Sequence, residues 1–497
     1  MSTTSTSLSE TENGAISHSS TMEPCLNLFF HSVRGMNPDR FQIMFNDAWQ
    51  ANPTLTIQLL AYIRDCRGGK GERQLGRMGL QLLAERLTPD QWRNVLCHFL
   101  GTFGRWDDAI DITAQSDVIL SVIAQQLNQD LVLDHDTGHI SLCAKWIPSE
   151  HSNPTFFHAL ARHMKMTPKN LRKNVLVPLR NRLELVETNL THRQYDRIVF
   201  NNVPSNCMAI HGLQQLKYKS TAGPGAFVRH CSTRFSKWKQ DQVIGNRAAK
   251  INASQLFIHD LVKCYTSVRP LKQVDDLIEL QWQCHLKEAQ TVPSLKRTLV
   301  LSDVSGSMAG TPMLVSMAFG LLISNIADEP WRNLVMTFEE EPELHLITGS
   351  SLFEQCISIR NMRWGGSTNL QRCFDLILNI IRQHHLSPDQ IPERLLIISD
   401  MQFNQCDDNF QTNLEAARVK FASLDIAMPQ VVFWNVRGNI SDFPAVKDTP
   451  NVSLISGFST DILKSLMETG TAVTPESTML NTLQNPRYAC FNHILDL

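Results

Sequence analysis

Between Pro24 and Leu295 apolar residues recur three and four positions apart, interrupted by Gly, Pro and Asn, and few stretches alternate. That spacing marks one face of a helix. It predicts helices over 53–66, 72–87 and 89–100, part of a run of helices joined by short connections. Such a run implies a bundle or an α-solenoid, although no repeat of fixed length is visible. The pattern changes near Pro293. Arg297-Thr-Leu-Val-Leu-Ser-Asp303 reads as a buried strand and 312–327 as a helix. Strands are expected at 334–338, 344–348, 394–400, 430–436 and 452–455, with helices at 369–384 and 410–424. Strands alternating with helices specify a doubly wound α/β domain on a largely parallel sheet.

The expected fold is therefore α + α/β. A Ser/Thr-rich tail over 1–23 should be disordered. An all-α helical-repeat domain follows over 24–295, then the α/β domain over 296–470. A C-terminal segment over 471–497, with apolar patches at Cys490-Phe491 and Ile494-Leu495, should pack back onto a domain.

The 497 residues exceed one ordinary domain, and 42% hydrophobic with 19% charged residues suits a chain that buries sizeable cores. No apolar run is long enough to span a bilayer. The first twenty residues have neither a basic nor an apolar signal region, and the final Ile-Leu-Asp-Leu is not a lipidation or retention tag. No membrane partner is expected. Twelve scattered cysteines without a CxxC pair argue against a structural zinc site and a disulfide framework, and read as reduced core thiols. Cytoplasmic residence is the expectation. The nucleus stays open, because the basic residues form no short cluster.

The formal charge of −2 averages two opposed regions. Residues 162–250 hold seventeen basic against four acidic residues, and residues 298–497 twelve basic against twenty-two acidic. One-sided charge calls for a polyanionic partner. His163, His192, Tyr195, His211, Tyr218, His230, Phe235 and Trp238 are interleaved with the cations. Cations for phosphates and planar groups for bases suit single-stranded or irregular RNA. The candidate RNA contacts are Arg162, Lys165, Lys169, Arg172, Lys173, Arg180, Lys217, Lys219, Arg229, Arg234, Lys237 and Lys239. A competing reading docks this segment onto the acidic end of the same chain, and both can hold at once.

The first α/β strand ends in Asp303-Val-Ser305-Gly-Ser307-Met. Thr368 follows in Gly365-Gly-Ser-Thr368-Asn, opening a helix, and Asp400 ends the strand Leu-Leu-Ile-Ile-Ser-Asp. All three sites fall at carboxyl ends of strands, where open α/β sheets bind ligands. Asp303, Ser305, Ser307, Thr368 and Asp400 are hard oxygen donors suited to Mg2+ or Mn2+. Their low total charge leaves room for a partner's carboxylate or phosphate. Gly306 is expected to permit the tight turn. Taken singly, each residue could be a strand-end or helix cap; all five in order point to a metal. Two enzymatic readings fail. A serine-hydrolase elbow needs G-x-S-x-G, and an aspartyl phosphatase would want a second acid where Ser305 stands.

Residues 297–470 resemble von Willebrand factor A (VWA) domains, which are Rossmann-like, and the five residues resemble their metal-ion-dependent adhesion site. The resemblance implies a divalent ion that bridges to a partner and breaks no bond.

Arg67-Gly68-Gly69-Lys70-Gly71-Glu72-Arg73 is not a P-loop, since its flanks are helical and Glu follows the last glycine. It reads as a helix–helix turn with Arg64, Asp65 and Arg73 in local ion pairs. With AYIRDCRGGKGER (61–73), AKWIPSE (144–150) and AKINASQLF (249–257), the whole chain is similar to an uncharacterised family with a helical region before a VWA domain. More distantly it resembles TROVE-module proteins such as the Ro autoantigen. There, helical repeats closed into a ring by a VWA domain bind small non-coding and misfolded RNAs. The leading expectation is thus a monomeric, non-enzymatic RNA-binding ribonucleoprotein scaffold with a Mg2+-holding VWA-like domain. Its RNA would be small and structured with single-stranded ends. The alternative is a metal-dependent adaptor that grips an acidic protein and has no nucleic-acid role. A third reading makes the metal site vestigial.

Overall fold

The computed structural model describes residues 8–133, 138–213, 225–244, 251–253, 255–267, 270–363, 368–404, 412–466 and 473–496. The chain is mixed α/β, with helices first and a six-stranded sheet in the C-terminal half. It divides into two compact units, one from residues 1–37 with 199–482, the other from 38–198 with 483–497.

This division differs from the single cut expected at 295/296. Helices Ile258–Thr266 and Asp276–Gln290 pack on the helix Thr311–Ile326 and so fall within the sheet-bearing unit. The reason is burial. Thr311–Ile326 is apolar almost all round, so it needs cover on more than one side, and Ile258, Leu261, Val262, Leu277, Ile278 and Trp282 are buried on the two covering helices.

Among the described residues the first unit has eight strands: β1 (Leu8–Glu10), β2 (Ile16–His18), β3 (Thr298–Ser302), β4 (Leu334–Thr337), β5 (Leu344–Leu346), β6 (Arg394–Ser399), β7 (Gln430–Asn435) and β8 (Val452–Ser456). The main sheet has the order β5-β4-β3-β6-β7-β8 and is parallel except for the edge strand β5. Every residue of β3, β6, β7 and β8 is buried, as befits parallel strands covered on both faces. Thr298 to Ser302 pair with Arg394 to Ile398, and Arg394 to Ser399 with Gln430 to Asn435. That register ends β3, β6 and β7 side by side. The strand order turns back between β3 and β6, the switch point beyond whose carboxyl ends open α/β sheets hold their ligands.

The strands and the helices Thr311–Ile326, Leu370–Gln383 and Asn413–Ser423 lie close to their expected places. The helix Leu352–Arg360 was not anticipated, although the capping box Ser351/Glu354 announces it. A second correction concerns the start of the chain. From residue 8 the expected disordered tail is a hairpin, β1 pairing antiparallel with β2. Its polar residues find partners far along the chain. Thr11 Oγ1 donates to Phe403 O at 2.7 Å, Ser17 Oγ lies 2.9 Å from Asp442 Oδ2, and His18 exchanges two backbone bonds with Phe443. Composition registers only the low hydrophobicity of the segment.

In the second unit the helices Pro53–Arg64, Arg73–Ala84 and Pro89–Phe99 stand where the periodicity places them. Asn52 caps the first through Leu55 N–H, and Thr88 with Gln91 forms a capping box for the third. Between the first two, Gly71 adopts φ +71°, and Lys70, Gly71 and Glu72 return backbone bonds to Tyr62, Asp65 and Ile63. A Cβ on Gly69 would lie 2.2 Å from the Tyr62 carbonyl oxygen. Backbone cannot step aside as a side chain can, so Gly69→Ala is expected to destabilise the protein by about 1–3 kcal/mol. Urea unfolding with unchanged stability would refute this packing.

The C-terminal residues close the same unit. Tyr488 and Phe491 are buried, with their rings 5.5 Å from that of Phe103. Among the described residues no helix is long and apolar enough to cross a membrane.

Candidate metal centre and basic surface

Four of the five expected ligands are buried: Asp303 and Asp400 completely, Ser305 and Thr368 nearly so, while Ser307 is exposed. Asp303 follows β3 directly, its N–H bonded to Ile398 O at 3.1 Å, and Asp400 follows the adjacent β6. Asp303 accepts from Ser305 N–H at 2.9 Å and from Ser399 Oγ at 2.6 Å. The hydroxyls of Ser305 and Ser307 are 3.0 Å apart. Thr368 is tied to the loop beyond Asp400, its Oγ1 donating to Gln402 O at 2.6 Å. With that proton engaged, the oxygen keeps lone pairs for a cation.

Two details differ from expectation. Asn369, not Thr368, caps the helix Leu370–Gln383, accepting from Arg372 N–H. Gly306 has no left-handed backbone, and open space lies where its Cβ would stand, so the 3-10 turn Gly306–Met308 does not require glycine. Gly365, Gly366 and Ser367 of the second loop lie outside the described residues.

The electrostatics fit a cation. Burial, together with the neighbouring Asp400, pushes the Asp303 carboxyl up to about 6, against hydrogen bonds from Ser399 and Ser305 that work the other way. Two carboxylates out of water with hydroxyl neighbours form a hard-oxygen donor set deficient in positive charge. The positive group at hand is Arg437, whose Nη1 lies 2.9 Å from Asp400 Oδ2 and 3.2 Å from Ser307 O. Sequence reasoning missed it. It also missed Asn13, whose Nδ2 donates to Gln402 O at 2.8 Å and reaches Thr368 Oγ1 at 3.4 Å. Neither residue stands in a local motif. Ser399 could have been noticed as the polar residue inside an apolar strand beside Asp400.

The basic segment is divided between the two units, 162–198 in the second and 199–250 in the first. In the second, Arg162, Lys165, Lys169, Arg172 and Lys173 are all exposed, and no acidic residue occurs between Glu150 and Glu184. Arg172 and Lys173 sit in a π-helical stretch, Leu171–Leu176, inside the helical run from Pro168 to Arg182. Pro178, just beyond, has no N–H to give to the residue four before it, a usual cause of such widening.

Arg180 departs from expectation. Its guanidinium is held by Ala144 O at 2.9 Å and Ile147 O at 2.7 Å, capping carbonyls at the end of the short helix Cys143–Trp146. In the first unit Arg229, Arg234 and Lys237 are exposed, with Arg234 over the Phe200 ring. Lys239 is half-buried and 3.4 Å from Asp276. Phe235 and Trp238, expected as stacking platforms, are buried with Phe200 and Phe227 in an aromatic cluster. Lys217, Lys219 and Tyr218 lie outside the described residues.

The Arg67–Arg73 turn is a structural element, and its ion pairs are long-range instead of local. Arg64 meets Asp108 at 2.7 Å, joined there by Arg73 and Arg77. Asp65 is held by Arg487 Nη2 at 2.9 Å and by Tyr488 Oη at 3.1 Å. Arg67 donates to Gly101 O and Thr102 O. Tyr488 Oη also donates to Gly68 O. Lys70 is fully buried, and burial brings its ammonium down to about 7 while Glu72 opposes the shift. Burial likewise pushes up the thiols of Cys97, Cys143, Cys231, Cys284, Cys356, Cys373 and Cys490, away from nucleophilic thiolate.

Residues 297–488 match the family described as Domain of unknown function (DUF7788), and residues 11–86 and 155–295 match Domain of unknown function (DUF2828). A relative from Acanthamoeba polyphaga mimivirus, "Uncharacterized protein L728", is 31% identical over 508 residues, spanning 96% of this chain and 87% of the viral protein.

Proposed function

The chain belongs to an uncharacterised family, the one it shares with the mimivirus protein, and we propose that its α/β unit is a VWA-like module that holds Mg2+ or Mn2+ to grip an acidic partner. The observation that carries this reading is the convergence of three loops. Asp303 with Ser305, Thr368, and Asp400 come from separate stretches of sequence, meet at the carboxyl ends of β3 and β6, and are buried there. The ion would be held by the two aspartates and the hydroxyls of Ser305, Ser307 and Thr368, and would supply an open coordination position for a carboxylate. On this reading the ion bridges to the partner and the protein breaks no bond. Equilibrium dialysis at pH 7.5 tests the reading. One Mn2+ should be bound per chain, and no binding at millimolar Mn2+ would sink it.

A second reading concerns RNA. Five exposed cations within an acid-free stretch of the second unit favour a polyanion at Arg162, Lys165, Lys169, Arg172 and Lys173. RNA affinity should fall steeply with salt. Replacing Lys169, Arg172 and Lys173 by alanine should flatten the log–log slope by about 2, at roughly 0.7 per phosphate on a single strand. Fluorescence anisotropy with a hairpin carrying a single-stranded end measures this, and a flat response in the wild type would remove the reading. Both activities could reside in one scaffold.

A further inference from the structure

The loop after β7 is anchored on both sides of Arg437. Arg437 N–H donates to Asn435 Oδ1 at 2.8 Å, and Asn435, fully buried, donates from Nδ2 to Phe30 O at 3.3 Å. Gly438 runs so close to the chain at Gly35–Met36 that a Cβ on it would lie 2.3 Å from Met36 N. With the backbone fixed, the side chain reaches over the candidate metal centre. Its Nη1 joins Asp400 Oδ2 of the third loop to Ser307 O of the first. The Arg437 side chain is 38% exposed, while that of Asp400 is wholly buried. One partner can swing into water and the other cannot.

We propose that Arg437 is the built-in counter-ion of the metal centre. It neutralises Asp400 when no divalent ion is held and must release that carboxylate when one binds, so it sets the ion's affinity. The inference rests on the metal-binding reading above. Its physical basis is that a guanidinium and a divalent cation neutralise the same buried carboxylate and repel each other at contact distance. Two ligands competing for one group are negatively linked. Removing Arg437 destabilises only the metal-free state, leaving the buried Asp400 carboxylate without its cation, and the ion gains what that state loses. Lysine at 437 keeps the charge, but as a strongly hydrated ammonium on a flexible stem it holds Asp400 less firmly than the guanidinium does.

The test is titration of the full chain with Mn2+ at pH 7.5, by calorimetry and by the loss of free-Mn2+ electron paramagnetic resonance signal. R437A and R437Q should each bind Mn2+ at least about fivefold tighter than wild type, the lower end of ordinary coupling between sites. R437K should fall between. R437Q keeps a hydrogen-bonding side chain, so it decides the matter if R437A fails to fold. Unchanged or weaker affinity in the folded variants would overturn the proposal while leaving the metal site standing. If wild type and variants alike bind no Mn2+, the metal reading falls and this inference with it.

Discussion

Magnesium at a hundred times its dissociation constant is expected to stabilise the wild-type protein by about 2.7 kcal/mol, and Asp303→Asn is expected to erase that gain. On the proposed metal-binding reading, Asp303 is the ligand on which the site turns. It is fully buried, receives hydrogen bonds from Ser399 and Ser305, and its carboxyl is pushed up to about 6 by burial and by Asp400. An acid whose folded value is raised prefers to fold protonated. Without metal, its ionisation therefore costs stability as pH climbs from the ordinary carboxylate range to about 6, and no further above that. An ion needs the carboxylate, so metal stabilisation should grow over the same window. Thermal melts with and without Mg2+ at pH 5 and 7.5 measure both effects. An equal Mg2+ shift in Asp303→Asn would place the ion elsewhere.

The second large effect belongs to the helical unit. Asp108→Ala is expected to reduce stability by about 3–5 kcal/mol, the usual consequence of leaving a buried charge without its partner. Asp108 is completely buried and bonds Arg64 at 2.7 Å, Arg77 at 3.0 Å and the Arg105 N–H at 2.8 Å, while the Arg64 side chain is only 4% exposed. Burial works against the Asp108 charge, but Arg64, the Arg105 N–H and Arg77 outweigh it and hold the carboxyl below its ordinary value. The sign follows: this contribution is present above the unfolded value and is lost as pH falls through the folded one. Chemical denaturation at pH 7 tests it. A loss under 1 kcal/mol would mean the arginines find other partners.

How much was legible in the sequence depended on range. The runs Thr298–Ser302 and Arg394–Ser399 identify themselves because a doubly covered strand needs an unbroken apolar sequence, and Asp303, Ser305 and Ser307 are contiguous. Charge counting recognised a basic segment but could not say where side chains go. Arg180 turns to backbone carbonyls, and Phe235 and Trp238 turn to a core. Arg437, Asn13 and the Asp65–Arg487 pair escaped because each meaning lies in a partner tens to hundreds of residues away, which periodicity does not encode.

The interleaving of the two units has a consequence for synthesis. Arg487, Tyr488 and Phe491, which complete the helical unit at Asp65 and Phe103, leave the ribosome almost three hundred residues after Ile198. At ordinary elongation rates that is a wait of roughly 15–60 s. Throughout it the nascent helices hold Asp65 without its arginine and Phe103 without the two rings that later cover it.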